Sequence, residues 1–224
     1  MFLSLLLNNP MIALVWIVVI FMALTVHEFS HALIATKLGD STAEQAGRLT
    51  LNPAKHIDPY GLIPLLLLGF GWAKPVPFNP YNLQHPKRDA VLIAFAGHVS
   101  NLCMALVAGI ILRTLDVVGA VDPTNLLVIF LVLTIVINLF LLFFNLIPVH
   151  PLDGSKLLDA LLVKPEQQRL RRAIEVYGPQ VLFGLIIISL LTNFDVFFFV
   201  SAPSYAVCDL IAGGSCTGFL SLVF

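Results

Sequence analysis

Charge is scarce in this chain. Lys, Arg, Asp and Glu make up 11% of its 224 residues, where soluble domains carry about 25%. With 58% hydrophobic residues and a mean hydropathy of +0.95, this excludes an ordinary soluble globule. The net charge of −1 leaves no basic excess to attract nucleic acid. Cysteine is equally sparse. The three cysteines include no Cys-x-x-Cys pair, which removes the usual thiolate zinc motif. Long repeats and low-complexity tracts are absent. The N-terminus lacks a basic n-region, so a secretory signal peptide is not expected there.

What is present is a set of long uncharged runs, at 11–26, 90–112, 124–149 and 176–194. Each approaches the roughly 20 residues needed to span a hydrocarbon core. The expectation is an all-α polytopic membrane protein forming one domain over 1–224, with spans near 11–36, 90–112, 124–147 and 176–199. Residues 59–73 are also uncharged, but the run is short and broken by Gly61, Pro64, Gly69 and Gly71. It reads as a re-entrant or interfacial segment. Eleven of the twelve Lys and Arg residues fall in 37–88 or 156–172, and only Arg113 lies elsewhere. By the positive-inside rule both basic segments are cytoplasmic and both termini lie outside. The setting is the plasma or inner membrane.

The loop over 37–88 carries Asn52-Pro53, Asp58-Pro59, Pro75-Val76-Pro77 and Asn79-Pro80, too much proline for one helix. Residues 72–78 are expected to form short edge strands, where proline is tolerated. After the third span, 155–163 reads as a short helix. Pro165 can open another that runs to Tyr177 and stops at Gly178, its basic face resting on anionic headgroups. Cys103 reads as a small buried apolar residue. Cys208 and Cys216 lie in the apolar tail 203–224, where a bridge is permitted and left open. The fold of that tail, a capping hairpin among the choices, is also left open.

Inside the first span lies His27-Glu28-Phe29-Ser30-His31, an H-E-x-x-H pattern. Histidines four apart share a helix face, so both imidazoles can reach one zinc ion with the glutamate placed as a base. Ionisable residues at membrane depth are costly unless they bind or react with something. A catalytic zinc site needs a third protein ligand and an open position. The motif sits at the cytoplasmic end of span one, so the third ligand belongs at the cytoplasmic end of another span. Asp153, just after span three, meets that condition, although an aspartate before Gly154 also suits a helix cap. His150 is the nearest rival. His56 and His85 lie in the polar loop. His98 lies in span two, where it could line a polar cavity, bond a substrate carbonyl or pair with local backbone.

These motifs resemble those of the site-2 proteases, intramembrane zinc metalloproteases. The family's H-E-x-x-H falls on residues 27–31. Its N-x-x-P-x-x-x-L-D-G falls on Asn145, Pro148, Leu152, Asp153 and Gly154. The stretches 47–59 and 72–77 are similar to the short bacterial and archaeal branch, and no extra domain is visible. At the family's G-P-x-x-N element His98 replaces the proline, with Asn101 in place. The resemblance implies one zinc ion per chain held by His27, His31 and Asp153, with Glu28 as the catalytic base. Asn145, Asn101 and His98 are candidates for binding substrate or an oxyanion. The implied substrate is a transmembrane protein or leftover signal peptide, cut within its span in the lipid bilayer. A zinc transporter or metal sensor is the alternative, but it needs no glutamate between the histidines. A silent scaffold would not keep the full set of four. A prenyl-protein protease would be expected to complete its site with glutamate.

Overall fold

The computed structural model describes residues 2–68, 71–162, 164–192 and 194–223. Helix α1 (Phe2–Asn8) leads into α2 (Pro10–Lys37). A single turn, α3 (Thr42–Gln45), and α4 (Pro59–Leu68) follow, then α5 (Pro86–Val117) and α6 (Leu126–Asn145). The chain closes with α7 (Gly154–Leu161), α8 (Gln168–Leu191), α9 (Phe198–Ala212) and α10 (Cys216–Val223). Start signals are local. Pro10 and Pro86 occupy first-turn positions, where no N–H is needed. The Asn125 side chain accepts from Leu127 N at 2.8 Å and caps α6.

Helices α2, α5, α6 and α8 are long and apolar enough to cross a membrane. Inside them hydroxyls satisfy themselves against their own helix: Ser30 donates to the Val26 carbonyl and Thr134 to that of Phe130, each at 2.7 Å. Small residues let the helices approach closely. Ala94, Ala105 and Ala108 of α5 and Ala23, Ala32 and Ala35 of α2 are buried. A second contact layer joins Ala105, Ala108 and Leu112 to Leu131, Ile135 and Leu139 of α6 and to Cys208 and Cys216.

Three expectations are corrected here. The helix expected to stop at Gly178 continues through it and through Pro179 to Leu191. Gly178 serves close approach instead: a Cβ there would lie 2.8 Å from Val149 Cγ1. Cys103 is exposed on α5 rather than buried, because the α5 face that packs inward is the one bearing Gly97, Asn101 and Ala105. Among the described residues no strand forms. Residues 72–78 form no helix or turn, and pairing is confined to one antiparallel bridge between Ile57 and Ala73. Beyond Lys74 N the groups on that edge are taken by side chains, Lys74 O by Arg48 and Val76 N by Glu28, so the ladder does not grow. Gly69, one of the expected breaks, lies outside the described residues.

The tail is the largest surprise. Cys208 and Cys216 are bridged, and α9 and α10 meet at a 92° bend around Gly213, whose φ of 83° is left-handed. Helix α9 packs along α6 in the opposite direction. Phe197, just before it, meets Phe144 near the end of α6, and Tyr205 meets Phe140, one turn earlier in α6. Its far end receives Arg113, which donates to the carbonyls of Leu210 and Ile211. Helix α8, by contrast, buries only Leu182 and Ile186. It borders an apolar cavity of about 320 Å³ lined by Val149, Tyr177, Val181, Phe197 and others.

Candidate metal centre

Helix α2 carries His27, Glu28 and His31 well inside its length, all three buried. The one-turn spacing brings His27 Nε2 within 3.0 Å of His31 Nε2. Asp153 enters from the segment between α6 and α7. Its Oδ2 lies 3.2 Å from each of those nitrogens. Two regions more than a hundred residues apart in sequence thus deliver three donor atoms to one point.

That point fits zinc. Ligands about 2.1 Å from a tetrahedral ion are separated from one another by roughly 3.4 Å, and the three separations are 3.0, 3.2 and 3.2 Å. His31 Nδ1 lies 2.7 Å from the Ile93 carbonyl oxygen. An acceptor there requires the proton on Nδ1, which leaves the Nε2 lone pair facing the centre. Asp153 also discriminates between its two readings. It occupies the N-cap position of α7, yet its side chain makes no capping hydrogen bond. The carboxylate turns to the histidines instead.

Two glycines make room for this. A Cβ on Gly97 of α5 would stand 2.5 Å from His27 Cε1 and 2.7 Å from His31 Cε1. Helix α5 therefore presses bare backbone against both rings. A Cβ on Gly154 would collide with the Leu146 and Ile147 carbonyl oxygens, so the turn that aims Asp153 closes only over glycine.

Glu28 lies beside the cluster, and its Oε2 accepts from Val76 N at 3.1 Å. The 72–78 segment thus runs over the carboxylate. It is pinned along its length: Lys74 N donates to the His56 carbonyl at 2.8 Å, and Trp72 Nε1 donates to Asp58 Oδ2 at 3.0 Å. Asn79 N donates to Asp40 Oδ2 at 2.6 Å. Burial would raise the Asp40 carboxyl pKa, but hydrogen bonds from Thr42, Asn79 and Asn82 outweigh it and hold the group below its ordinary range.

The remaining candidates separate clearly. His98 is buried with its ring centroid 6.4 Å from that of His27. Its Nδ1 lies 3.0 Å from the Ala94 carbonyl oxygen, while Nε2 is buried without a protein partner among the described residues. Asn101 is fully buried, one turn beyond Gly97, and neither amide atom has a partner among the described residues. Asn145 donates from Nδ2 to the Leu141 carbonyl at 2.9 Å. His150 lies 3.7 Å from Asp159 and outside the three-ligand group. The His56 ring contacts the Thr50 carbonyl oxygen, and His85 supplies its backbone N–H to Asp89. Sequence reasoning missed Arg48 and Val76, which reach Lys74 and Glu28 only through the folded loop.

Comparison with known proteins agrees with this geometry. Residues 115–189, which include the Asn145–Gly154 motif, match the model of peptidase family M50. A Bacillus subtilis protein named as a zinc metalloprotease, YwhC, is 40% identical over 166 residues, covering 72% of this chain and 75% of its own. A Mycolicibacterium smegmatis protein given the same description, Rip2, is 32% identical over 216 residues, covering 91% of this chain and 79% of its own. No solved structure matches the chain. The chain belongs to peptidase family M50, the site-2 proteases, and is an intramembrane zinc metalloprotease.

Proposed function

We propose that this protease hydrolyses a peptide bond within the transmembrane segment of a membrane protein. In this reading 1–224 works as one unit, with zinc held by His27, His31 and Asp153 and with Glu28 as general base. The carrying observation is the convergence of three donor atoms next to a buried carboxylate. A zinc ion bound there would polarise the scissile carbonyl and acidify a water molecule. Glu28 accepts the water proton and passes it to the leaving amine. Val76 N–H fixes one carboxylate oxygen and leaves the other for the proton.

The candidate substrate contacts divide by hydrogen-bonding capacity. His98 keeps Nε2 facing the site while Nδ1 is engaged by the Ala94 carbonyl oxygen, so one ring nitrogen remains for a substrate group. Asn145 keeps one amide hydrogen and its carbonyl oxygen available, so it can serve either. Asn101 has both amide atoms without a partner among the described residues, so it too can serve either.

The distribution of basic residues supports a topology with the metal end of the bundle at the cytoplasmic surface and both termini outside. The packing of α9 bears on which helix closes that topology. Helix α9 starts near the metal end of α6, only seven residues after α8 stops. Seven extended residues reach about 25 Å, short of a hydrocarbon core of about 30 Å. In this reading α8 does not complete a crossing before α9 begins, and α9, 15 residues and about 22 Å long, runs along α6 from the metal end.

A substrate helix must open before its backbone can be cut. An opened segment can add along the 72–78 stretch. The edge facing Ile57, Arg48 and Glu28 is occupied. The opposite edge has one donor, Ala73 N–H, because Pro75 and Pro77 have none, together with three carbonyl acceptors. The substrates this suits are single-span regulators or leftover signal peptides. An Ala73→Pro variant removes that donor. Cleavage of a reconstituted single-span substrate should fall roughly threefold to tenfold, the worth of one hydrogen bond, with zinc content unchanged. Wild-type cleavage by Ala73→Pro would rule out strand addition on this edge.

A further inference from the structure

Arg48 is buried to 4% exposure in a chain with few charges, and nothing in the mechanism so far uses it. A guanidinium keeps its charge at any working pH, so burying one needs a partner. Burial pulls the Arg48 pKa down, and the Glu28 carboxylate pulls it up. The nearest contact is a backbone oxygen: Arg48 Nη2 donates to the Lys74 carbonyl. Its Nε is buried with no hydrogen-bond partner among the described residues. One face of the guanidinium thus holds the 72–78 segment while the group as a whole feels Glu28.

These contacts form a chain. Arg48 N donates to the Ala43 carbonyl at 2.9 Å, fixing the root of the side chain just after α3. Arg48 then holds Lys74 O, while His56 O receives Lys74 N at 2.8 Å, so the peptide units on both sides of residue 74 are held. Two residues on, Val76 N reaches Glu28 Oε2. Residues 74 and 76 are two apart and both bond inward, so holding one restrains the other. A free loop would let the Val76 N–H wander, and Glu28 could turn away from the metal cluster.

We infer that Arg48 is a positioning residue for Glu28: it clamps Lys74 so that Val76 holds the carboxylate beside the metal site. This rests on Glu28 being the base. A lysine at 48 retains the charge and one donor, whereas a glutamine loses the charge and has less reach. The expected order of kcat is therefore wild type, then Arg48→Lys, then Arg48→Gln.

The test uses full-length protein reconstituted with a single-span substrate, measuring kcat, KM and zinc content. Amide hydrogen exchange of the peptide containing Val76 is read alongside. Arg48→Gln should lower kcat by tenfold or more with KM within about twofold and one zinc per chain, and Val76 should exchange faster. Arg48→Lys should recover at least half of the lost kcat on a logarithmic scale. Wild-type kcat in Arg48→Gln overturns the inference, as does a loss confined to KM. Loss of zinc in Arg48→Gln also overturns it, because Arg48 would then support the scaffold. Glu28→Gln runs in parallel. If it cleaves normally the assigned base fails, and if it is inactive while Arg48→Gln is normal only the role of Arg48 fails.

Discussion

Replacing Glu28 by glutamine should reduce cleavage of a transmembrane substrate by about 10²–10⁴-fold, the usual range for a positioned general base, while zinc stays at one per chain. The substitution keeps the size of the side chain and its ability to accept from Val76 N, so the 72–78 segment should remain in place. It removes only the capacity to take a proton. The fall should appear in kcat, because the water proton moves in the transition state and not on substrate binding. Reconstituted enzyme, a fluorescent single-span substrate and metal analysis on the same sample suffice. Undiminished cleavage would remove Glu28 from the chemistry, and zinc loss would make it a structural group.

A methyl group on Gly97 should damage the site from behind. Alanine favours helix over glycine by about 1 kcal/mol, so at an open position Gly97→Ala would stabilise α5. Here the added Cβ would meet His27 and His31 ring atoms at 2.5 to 2.7 Å. His31 is tied to the Ile93 carbonyl on the same helix as Gly97. Overpacking of this kind costs about 1–3 kcal/mol, which outweighs the propensity gain. The strain falls on ligand orientation, so zinc affinity should drop roughly 10–100-fold, the scale for disturbed outer-shell support. Competition with a chelating indicator measures it. A variant with wild-type affinity would mean that α5 does not press on the ligands.

The site was far more legible in the sequence than the packing around it. A four-residue spacing on a helix determines a geometry, so His27 and His31 could be paired from sequence alone. Charge asymmetry then brought Asp153 to the same end of the bundle. The supporting contacts had no such signature. Val76 reaches Glu28 across 48 residues of chain and Arg48 reaches Lys74 across 26, through backbone groups that every residue carries. Gly97 was readable only as part of a motif, since its function is to have no side chain where two rings lie. The end of α8 was misplaced because Gly178-Pro179 reads as a break just as Gly213-Gly214 does. The first pair lies within α8, close against Val149, and the second marks the 92° bend between α9 and α10. Hydrophobicity could not distinguish α8 from α9, because exposure to lipid and burial against α6 call for the same residues.

The central claim is a metal centre built from two histidines of α2 and one aspartate after α6. X-ray absorption at the zinc edge on the purified membrane protein tests it most directly. Two imidazoles and light oxygen donors at about 2.0–2.2 Å are predicted, with the carboxylate contribution lost or the metal itself lost in Asp153→Ala. A spectrum requiring three imidazoles, or one unchanged in fully loaded Asp153→Ala, would contradict the account.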